Sequence, residues 1–402
     1  MKKQPNSALI FVLITLFLEV MGVALSNPIL PKLINQFVDH VPSSASYFGI
    51  AMTMYAITIF ICSPLQGALS DQFGRKPLLI FSLLGSTISY FLYVLAPNLP
   101  WIFLASVVDG ITGASVAVVF AYVADISSPE TRSQNFGLVG ATFGLGWIIG
   151  PALGGFLAMG GLRLPFLVAA LLTLLNLSYG IIFVRESHQV ANRRSFSWAK
   201  ANPLASFQLL GKNAQIFSLA VIIFCNDLGV QCFISTWVLY TAYKFNWTTV
   251  QLGLSLALLG VMTAVIMALA LQAIIDRFGE LKTIQLGLSL SLVGYLLYAQ
   301  AQPNWTVYAI IIINSFNFVV KPTAQGLLSN QLSAKQQGVL SGALASQGAL
   351  TSIIGPFIST NLFAYFISAH TPIHFPGISF ILGVWLFAIA LWFSLKLTVR
   401  SF

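Results

Sequence analysis

Charge is what this sequence has least of: Asp, Glu, Lys and Arg make up only 7% of its 402 residues. A water-facing globular surface needs roughly 25%, so no sizeable soluble domain fits. Cysteine is scarce too. Cys62, Cys225 and Cys232 all sit inside apolar runs, which leaves no disulfide framework and no thiolate metal site. Only four histidines occur (His40, His188, His370 and His374), none within an apolar run. No CxxC, HExxH, P-loop or glycine-rich dinucleotide fingerprint is present, so metal, hydrolytic and nucleotide chemistry lack their raw materials. No metal and no cofactor is expected.

What is abundant is apolar: 57% of the residues are hydrophobic and the mean hydropathy is +0.87. Apolar segments fall at about 8–30, 47–69, 77–96, 101–123, 135–158, 164–184, 214–241, 249–272, 283–301, 304–328, 338–362 and 377–397. A spanning helix takes about 20 apolar residues, so twelve use roughly 250 positions and leave short connectors. The expectation is an all-α protein with 12 transmembrane helices, embedded in a lipid bilayer. Lys2 and Lys3 precede the first run as in a secretory signal, but that run contains Glu19 and lacks a small-residue cleavage site. It reads as the first span.

The basic residues orient the chain. With the N-terminus inside, Lys2, Lys3, Arg75, Lys76, Arg132, Arg185, Arg193, Arg194, Lys200, Lys212, Arg277, Lys282, Lys335, Lys396 and Arg400 face inward, 15 of the 19 Lys plus Arg. Lys32, Arg163 and Lys244 face outward, and Lys321 lies within a span. This 15:3 split predicts an N-in/C-in topology. It also explains the net charge of +9 as an insertion signal. The basic residues form no binding stripe, and no nucleic acid partner is expected.

An internal repeat organises the chain. Asp71, Phe73 and Gly74 recur as Asp276, Phe278 and Gly279, 205 positions later. The run Ile148-Ile149-Gly150-Pro151 recurs as Ile353-Ile354-Gly355-Pro356 at the same offset of 205. Two six-helix bundles in parallel repeat are therefore expected, residues 1–184 and 214–402, joined by a cytoplasmic linker over 185–213. The linker reads as a tether with a short interfacial helix; a regulatory segment is the alternative.

Two glycine-rich runs carry the most specific signals. Gly67-Ala68-Leu69-Ser70-Asp71-Gln72-Phe73-Gly74-Arg75-Lys76-Pro77 joins segments 2 and 3. A connector this tight needs Gly74 for a permissive backbone and Pro77 to start the next helix. In segment 5, Gly146-Trp147-Ile148-Ile149-Gly150-Pro151-Ala152-Leu153-Gly154-Gly155 sets small residues at four-residue spacing. That spacing lets helices approach closely, and Pro151 removes a backbone donor.

The first run resembles the segment 2–3 signature of the major facilitator superfamily. The second resembles the antiporter signature of its drug:proton exporters. Glu19-Val20-Met21-Gly22, Pro28-Ile29-Leu30-Pro31 and Gly110-Ile111-Thr112-Gly113-Ala114 are similar to the tetracycline-efflux branch. The resemblance implies alternating access, with Gly67, Asp71, Gly74 and Arg75 as a gating motif, and Gly146, Gly150, Pro151, Gly154 and Gly155 as an antiporter motif. A plain turn signal and ordinary helix packing are the alternatives. The chain departs from that branch where Ser106, Ser89, Ser291, Thr263 and Met267 stand in place of its ionisable or amide residues.

Four ionisable residues lie deep in spans: Glu19 in segment 1, Asp109 in segment 4, Asp227 in segment 7 and Lys321 in segment 10. Each such charge costs about 2.5–3.5 kcal/mol at the bilayer centre, on the order of 10–14 for four. The resemblance implies that segments 1, 4, 7 and 10 line the cavity. Glu19 and Asp227 are read as proton-coupling groups. Glu19, Asn27, Asp109, Asp227, Gln231, Asn314, Asn317, Lys321 and Gln325 are the candidate substrate-cavity residues. Lys321 either neutralises Asp227 or meets an anionic group of the cargo.

The function expected is proton-coupled export of a small amphiphilic compound, cationic or zwitterionic, by a monomer in the inner membrane. No catalytic residue is expected. Movement of a polar metabolite such as a zwitterion or metal chelate is the alternative. A membrane-embedded enzyme is disfavoured by the lack of any nucleophile–base cluster.

Overall fold

The computed structural model describes residues 6–113, 115–128, 131–187, 207–211, 213–302, 304–332 and 336–397. The linker predicted over 185–213 lies mostly outside them. Among the described residues the chain is helical and contains no strand. The first half holds α1 (Asn6–Ser26), α2 (Leu30–Ile34), α3 (Val41–Phe73), α4 (Arg75–Leu95), α5 (Leu99–Thr112), α6 (Ser115–Ile126), α7 (Arg132–Leu157) and α8 (Leu164–Phe183). The second holds α9 (Phe207–Leu210), α10 (Ala214–Phe245), α11 (Thr249–Val265), α12 (Leu271–Phe278), α13 (Glu280–Gln300), α14 (Asn304–Asn314), α15 (Val320–Asn330), α16 (Gln337–Phe366) and α17 (Ile378–Lys396).

Eleven helices among the described residues are long and apolar enough to cross a membrane, and eleven predicted segments coincide with them. The difference is segment 4, which forms two shorter helices, α5 and α6, parted at Gly113. The cause is local. Thr112 donates its hydroxyl back to the carbonyl of Val108 (2.8 Å), a bond that bends helices. The Gly113 amide turns back to the Asp109 carbonyl at 2.7 Å, which closes α5. Gln66 then donates its side-chain amide to the Ile111 carbonyl, one of the acceptors freed by that ending.

Two other spans keep their path but change pitch. A π-helical turn, Ile266–Ala270, separates α11 from α12, and a 3-10 stretch, Ser315–Val319, separates α14 from α15. Hydropathy runs on unbroken through both. Mid-helix departures of this kind re-aim side chains and favour functional positions.

The chain forms two compact units. The first takes in Met1–Phe37, Met54–Asn202 and Thr248–Ala257, over their described residues. Here α1 packs on α7 and α8, and α4 on α5 and α8. The core contains Phe11, Val12, Leu16, Val20, Leu79, Leu83, Val119 and Tyr122. The second takes in Val38–Thr53, Pro203–Trp247 and Leu258–Phe402, again over described residues. In it α10 packs on α16 and α17, and α13 on α17. Its core is aromatic: Phe233 stacks on Trp237 with ring centroids 4.6 Å apart, and Tyr295, Tyr298 and Phe380 close around them.

The repeat is visible in backbone conformation. Gly74 (φ 108°) turns α3 into α4, and Gly279 (φ 79°) turns α12 into α13. A side chain disfavours both angles, which is why glycine stands at each. The charges differ, however: Asp71 pairs with Arg75, whereas Asp276 accepts from the Gln272 amide at 2.8 Å and meets no arginine four residues on.

Candidate functional site

In the first unit the helix that carries Glu19 is held by the glycines of α7. A Cβ on Gly146 would lie 2.9 Å from Val20 Cβ. One on Gly150 would lie 2.7 Å from the Met21 carbonyl oxygen, and one on Gly154 2.7 Å from that of Leu25. The four-residue spacing thus presents one bare face to α1 and lets two backbones touch. Gly155 faces elsewhere, with a Cβ there overlapping the Thr249 carbonyl at the start of α11. Gly253 approaches the Pro151 carbonyl in the same way, so these two contacts are reciprocal.

Glu19 itself is buried, and neither carboxyl oxygen has a hydrogen-bond partner among the described residues. Asp109, near the end of α5, lies close enough for the two acids to repel one another. Tyr55 on α3 and Tyr90 on α4 feel both acids electrostatically. Tyr90 brings its hydroxyl against the backbone of Gly22, one turn beyond Glu19, where a Cβ would overlap it. The two tyrosines escaped the sequence reading because nothing separates them from other buried aromatics. Asn27 lies half-buried in the turn after α1.

A second polar cluster of this unit gathers around Arg75. Its buried guanidinium donates to Asp71 (2.5 Å), to Ser70 (2.8 Å) and to Asp125 (3.2 Å). Glu186 accepts the backbone amides of Arg75 (2.8 Å) and Lys76 (3.1 Å), so a carboxylate caps the positive end of α4. The expected Asp71–Arg75 pair is present. Asp125 and Glu186 were not singled out from the sequence, since 50 and 111 residues separate them from Arg75. Gly67 lies two turns before Arg75, with open space where its side chain would be. Arg75→Ala takes the guanidinium from Asp125, 24% exposed and still bonded by the Ser187 hydroxyl (3.4 Å), and from half-exposed Asp71, which water relieves. The expected cost is of the order of 2 kcal/mol, below that of a fully buried pair. A melt in detergent should show it, and an unchanged midpoint would mean that the cluster adds no stability.

The second unit contains a cavity of about 500 Å³. It opens where the π turn after α11 faces the 3-10 stretch before α15. Lys321 donates to Asp227 at 2.7 Å across it. Asn226 stands next to Asp227 in the lining. Asn317 supports Asn226 by donating to its Oδ1 (2.9 Å) and to Ser291 (2.8 Å). Gln231 reaches Ser352 at 2.8 Å, and Gln325 lines the wall. Of the predicted residues, Asp227, Gln231, Asn317, Lys321 and Gln325 thus meet at one cavity. Asn314 does not line it; it ends α14, buried against Gly294. Gln347, on α16, donates to the Ala220 carbonyl at 2.6 Å. Thr263, Met267, Thr351 and Ser352 complete the lining. Thr351 and Ser352 are neutral residues inside an apolar helix and no sequence signal marks them, whereas Thr263 and Met267 stand where the resembled branch has ionisable or amide residues.

The comparisons with known proteins agree with this architecture. The family described as Major Facilitator Superfamily matches residues 12–356, and again 219–400. The class C tetracycline resistance protein of Escherichia coli is 38% identical over 388 residues, 96% of each chain. The class H tetracycline resistance protein of Pasteurella multocida is 33% identical over 390 residues, 96% of this chain and 95% of that one. Among solved structures, a bacterial homolog of the human lysosomal transporter Spinster superposes with a TM-score of 0.77. It covers 98% of this chain and 97% of its own at 13% identity, a likeness of fold alone.

Proposed function

From the premise that the chain belongs to the major facilitator superfamily, we propose that it exports a small amphiphilic compound, cationic or zwitterionic, in exchange for protons. Members of this superfamily are secondary transporters, and this protein is one, not an enzyme. It is a multi-pass protein of the inner membrane. Its relatives are tetracycline resistance proteins.

The observation that carries the export reading is mechanical. The glycine run of α7 that resembles the drug:proton antiporter signature is the face on which the Glu19 helix lies. A carboxyl that meets no hydrogen-bond partner among the described residues, carried by a helix that packs closely on the α7 glycines, is suited to exchange a proton as that contact moves. In this reading Glu19 is the principal coupling group, and Asp109 draws cations towards it. Asp227 is the second proton-coupling group, and Asn27 contributes polarity beside the first. The cluster of Gly67, Asp71, Gly74 and Arg75 gates the cycle by breaking and remaking its ion pairs.

The topology proposed has twelve spans, with α5 and α6 together as the fourth and both termini on the cytoplasmic side. The halves are 1–184 and 214–402, joined by 185–213, and the unit of function is a monomer. The driving force is the proton gradient, with no cofactor. A membrane potential supplies about 2.3 kcal/mol per charge per 100 mV, which one proton exchanged for a cargo of no net charge, such as a zwitterion, converts to an accumulation ratio of roughly fifty.

Everted membrane vesicles test the direction. With an acid interior, tetracycline, ethidium or a zwitterionic fluoroquinolone should accumulate inside, and collapse of the gradient with an ionophore should release it. Accumulation driven by an alkaline interior would show cargo moving with protons, and would replace export by the polar-metabolite reading.

A further inference from the structure

The charge offered by the second-unit cavity is not the charge expected for a cationic cargo. Among the described residues, its lining contains one acid, Asp227, and one base, Lys321. Their formal charges cancel, but their exposure does not: the Lys321 side chain is 41% exposed and that of Asp227 only 11%. The acid is covered by the ammonium at 2.7 Å, and the Asn226 amide stands beside it in the lining. That amide is itself fixed through Asn317 to Ser291.

The ammonium is spent on one side only. It has three donors, and among the described residues it makes a single bond, to Asp227. The neutral groups around it do not compete for the same ligand. Thr263, Thr351 and Ser352 give their hydroxyl protons to carbonyls of their own helices, at Leu259, Gly348 and Gly348. Gln231 is committed to Ser352. Among the described residues of the lining, Lys321 has donors to spare and Gln325, one turn along α15, makes no hydrogen bond of its own.

We propose that this cavity binds the anionic end of the cargo, a carboxylate held by Lys321 with Gln325 beside it while Asp227 shares the ammonium. The inference rests on the transport reading for calling the occupant cargo, and narrows it from cationic or zwitterionic to a compound that carries an acid group. Asp227 is then a competitor for the same ammonium, which keeps Lys321 neutralised when no cargo is present.

The test uses the full chain in nanodiscs of phosphatidylcholine, so that no anionic lipid headgroup can occupy the site. Three probes, indole-3-acetate, 1-naphthoate and norfloxacin, are each compared with the methyl ester through the concentration dependence of the unfolding midpoint. At least one acid should stabilise the wild type at a roughly ten- to hundredfold lower concentration than its ester, the discrimination of one charged hydrogen-bonded contact. Lys321→Ala should erase that preference, Lys321→Arg should keep it, and Asp227→Asn should strengthen it by removing the competing anion. If Lys321→Ala alone does not fold, the double variant Lys321→Ala/Asp227→Asn leaves no stranded charge and should fold without the preference.

Equal response to every acid and its ester would overturn the proposal. So would a preference that survives loss of Lys321, or one that Asp227→Asn destroys. Failure of the export reading is separable from these outcomes. An acid preference in nanodiscs without proton-driven accumulation in vesicles removes export and keeps the site. Accumulation without an acid preference does the reverse.

Discussion

Glu19→Gln is expected to abolish proton-driven accumulation of cargo while leaving cargo-for-cargo exchange intact. The two side chains have nearly the same volume, and the site is buried. Neither Glu19 oxygen is engaged by a donor among the described residues, so the amide breaks no existing bond. No cation among the described residues pairs with a negative charge there, and an uncompensated buried charge is among the costliest groups a protein can hold. A carboxylate at this position must carry its proton or be reached by water, and the amide can do neither in exchange for a proton. The ratio supported by 100 mV should fall from roughly fifty to about one. The measurements are accumulation in everted vesicles under an imposed gradient and exchange without one. Accumulation by Glu19→Gln at the wild-type ratio would transfer coupling to Asp109 or Asp227.

The second large effect concerns packing. Gly150→Leu should prevent the protein from accumulating in folded form, whereas Gly144→Leu should be accepted. Even the first carbon of a side chain at 150 would fall 2.7 Å from the Met21 carbonyl oxygen and 2.8 Å from Ala24 Cβ. Backbone cannot swing aside as a long side chain can, so α1 would have to leave α7. Overpacking usually costs about 1–3 kcal/mol, and here the upper end or beyond is expected. Gly144 lies two residues before Gly146, on the opposite side of the helix, with nothing within 4 Å of its would-be Cβ. Size-exclusion profiles of the two variants in detergent settle the matter: equal monodisperse yields would mean that the glycine face does not set the α1–α7 contact.

The two glycines show how much a sequence says about a site. The four-residue spacing of Gly146, Gly150 and Gly154 is legible because helix pitch is fixed, so a bare face can be read without coordinates. Its partner is not legible. That α1 lies there, bringing Glu19 with it, depends on rotation and crossing of helices more than a hundred residues apart. Segment 4 shows the same limit. The small residues around Gly113 are plain in the sequence, but they do not say whether the helix bends, thins or breaks.

Hydropathy determined that this is a helical membrane protein, and the inside bias of basic residues and the 205-residue repeat gave the expectation of its orientation and of two related halves. Those signals survive in one dimension because the bilayer and the insertion machinery act on each segment largely by itself. The same arithmetic marked Glu19, Asp109, Asp227 and Lys321, since charge in lipid is costly wherever the helix faces. Only the tertiary structure decided their state: Lys321 neutralises Asp227 and still offers donors to a cavity, while Glu19 meets no donor among the described residues. A π turn and a 3-10 stretch settle which side chains converge there, and neither leaves a trace in hydropathy. Pairing is a property of rotation about helix axes, and rotation is fixed by packing between segments that the linear order keeps far apart.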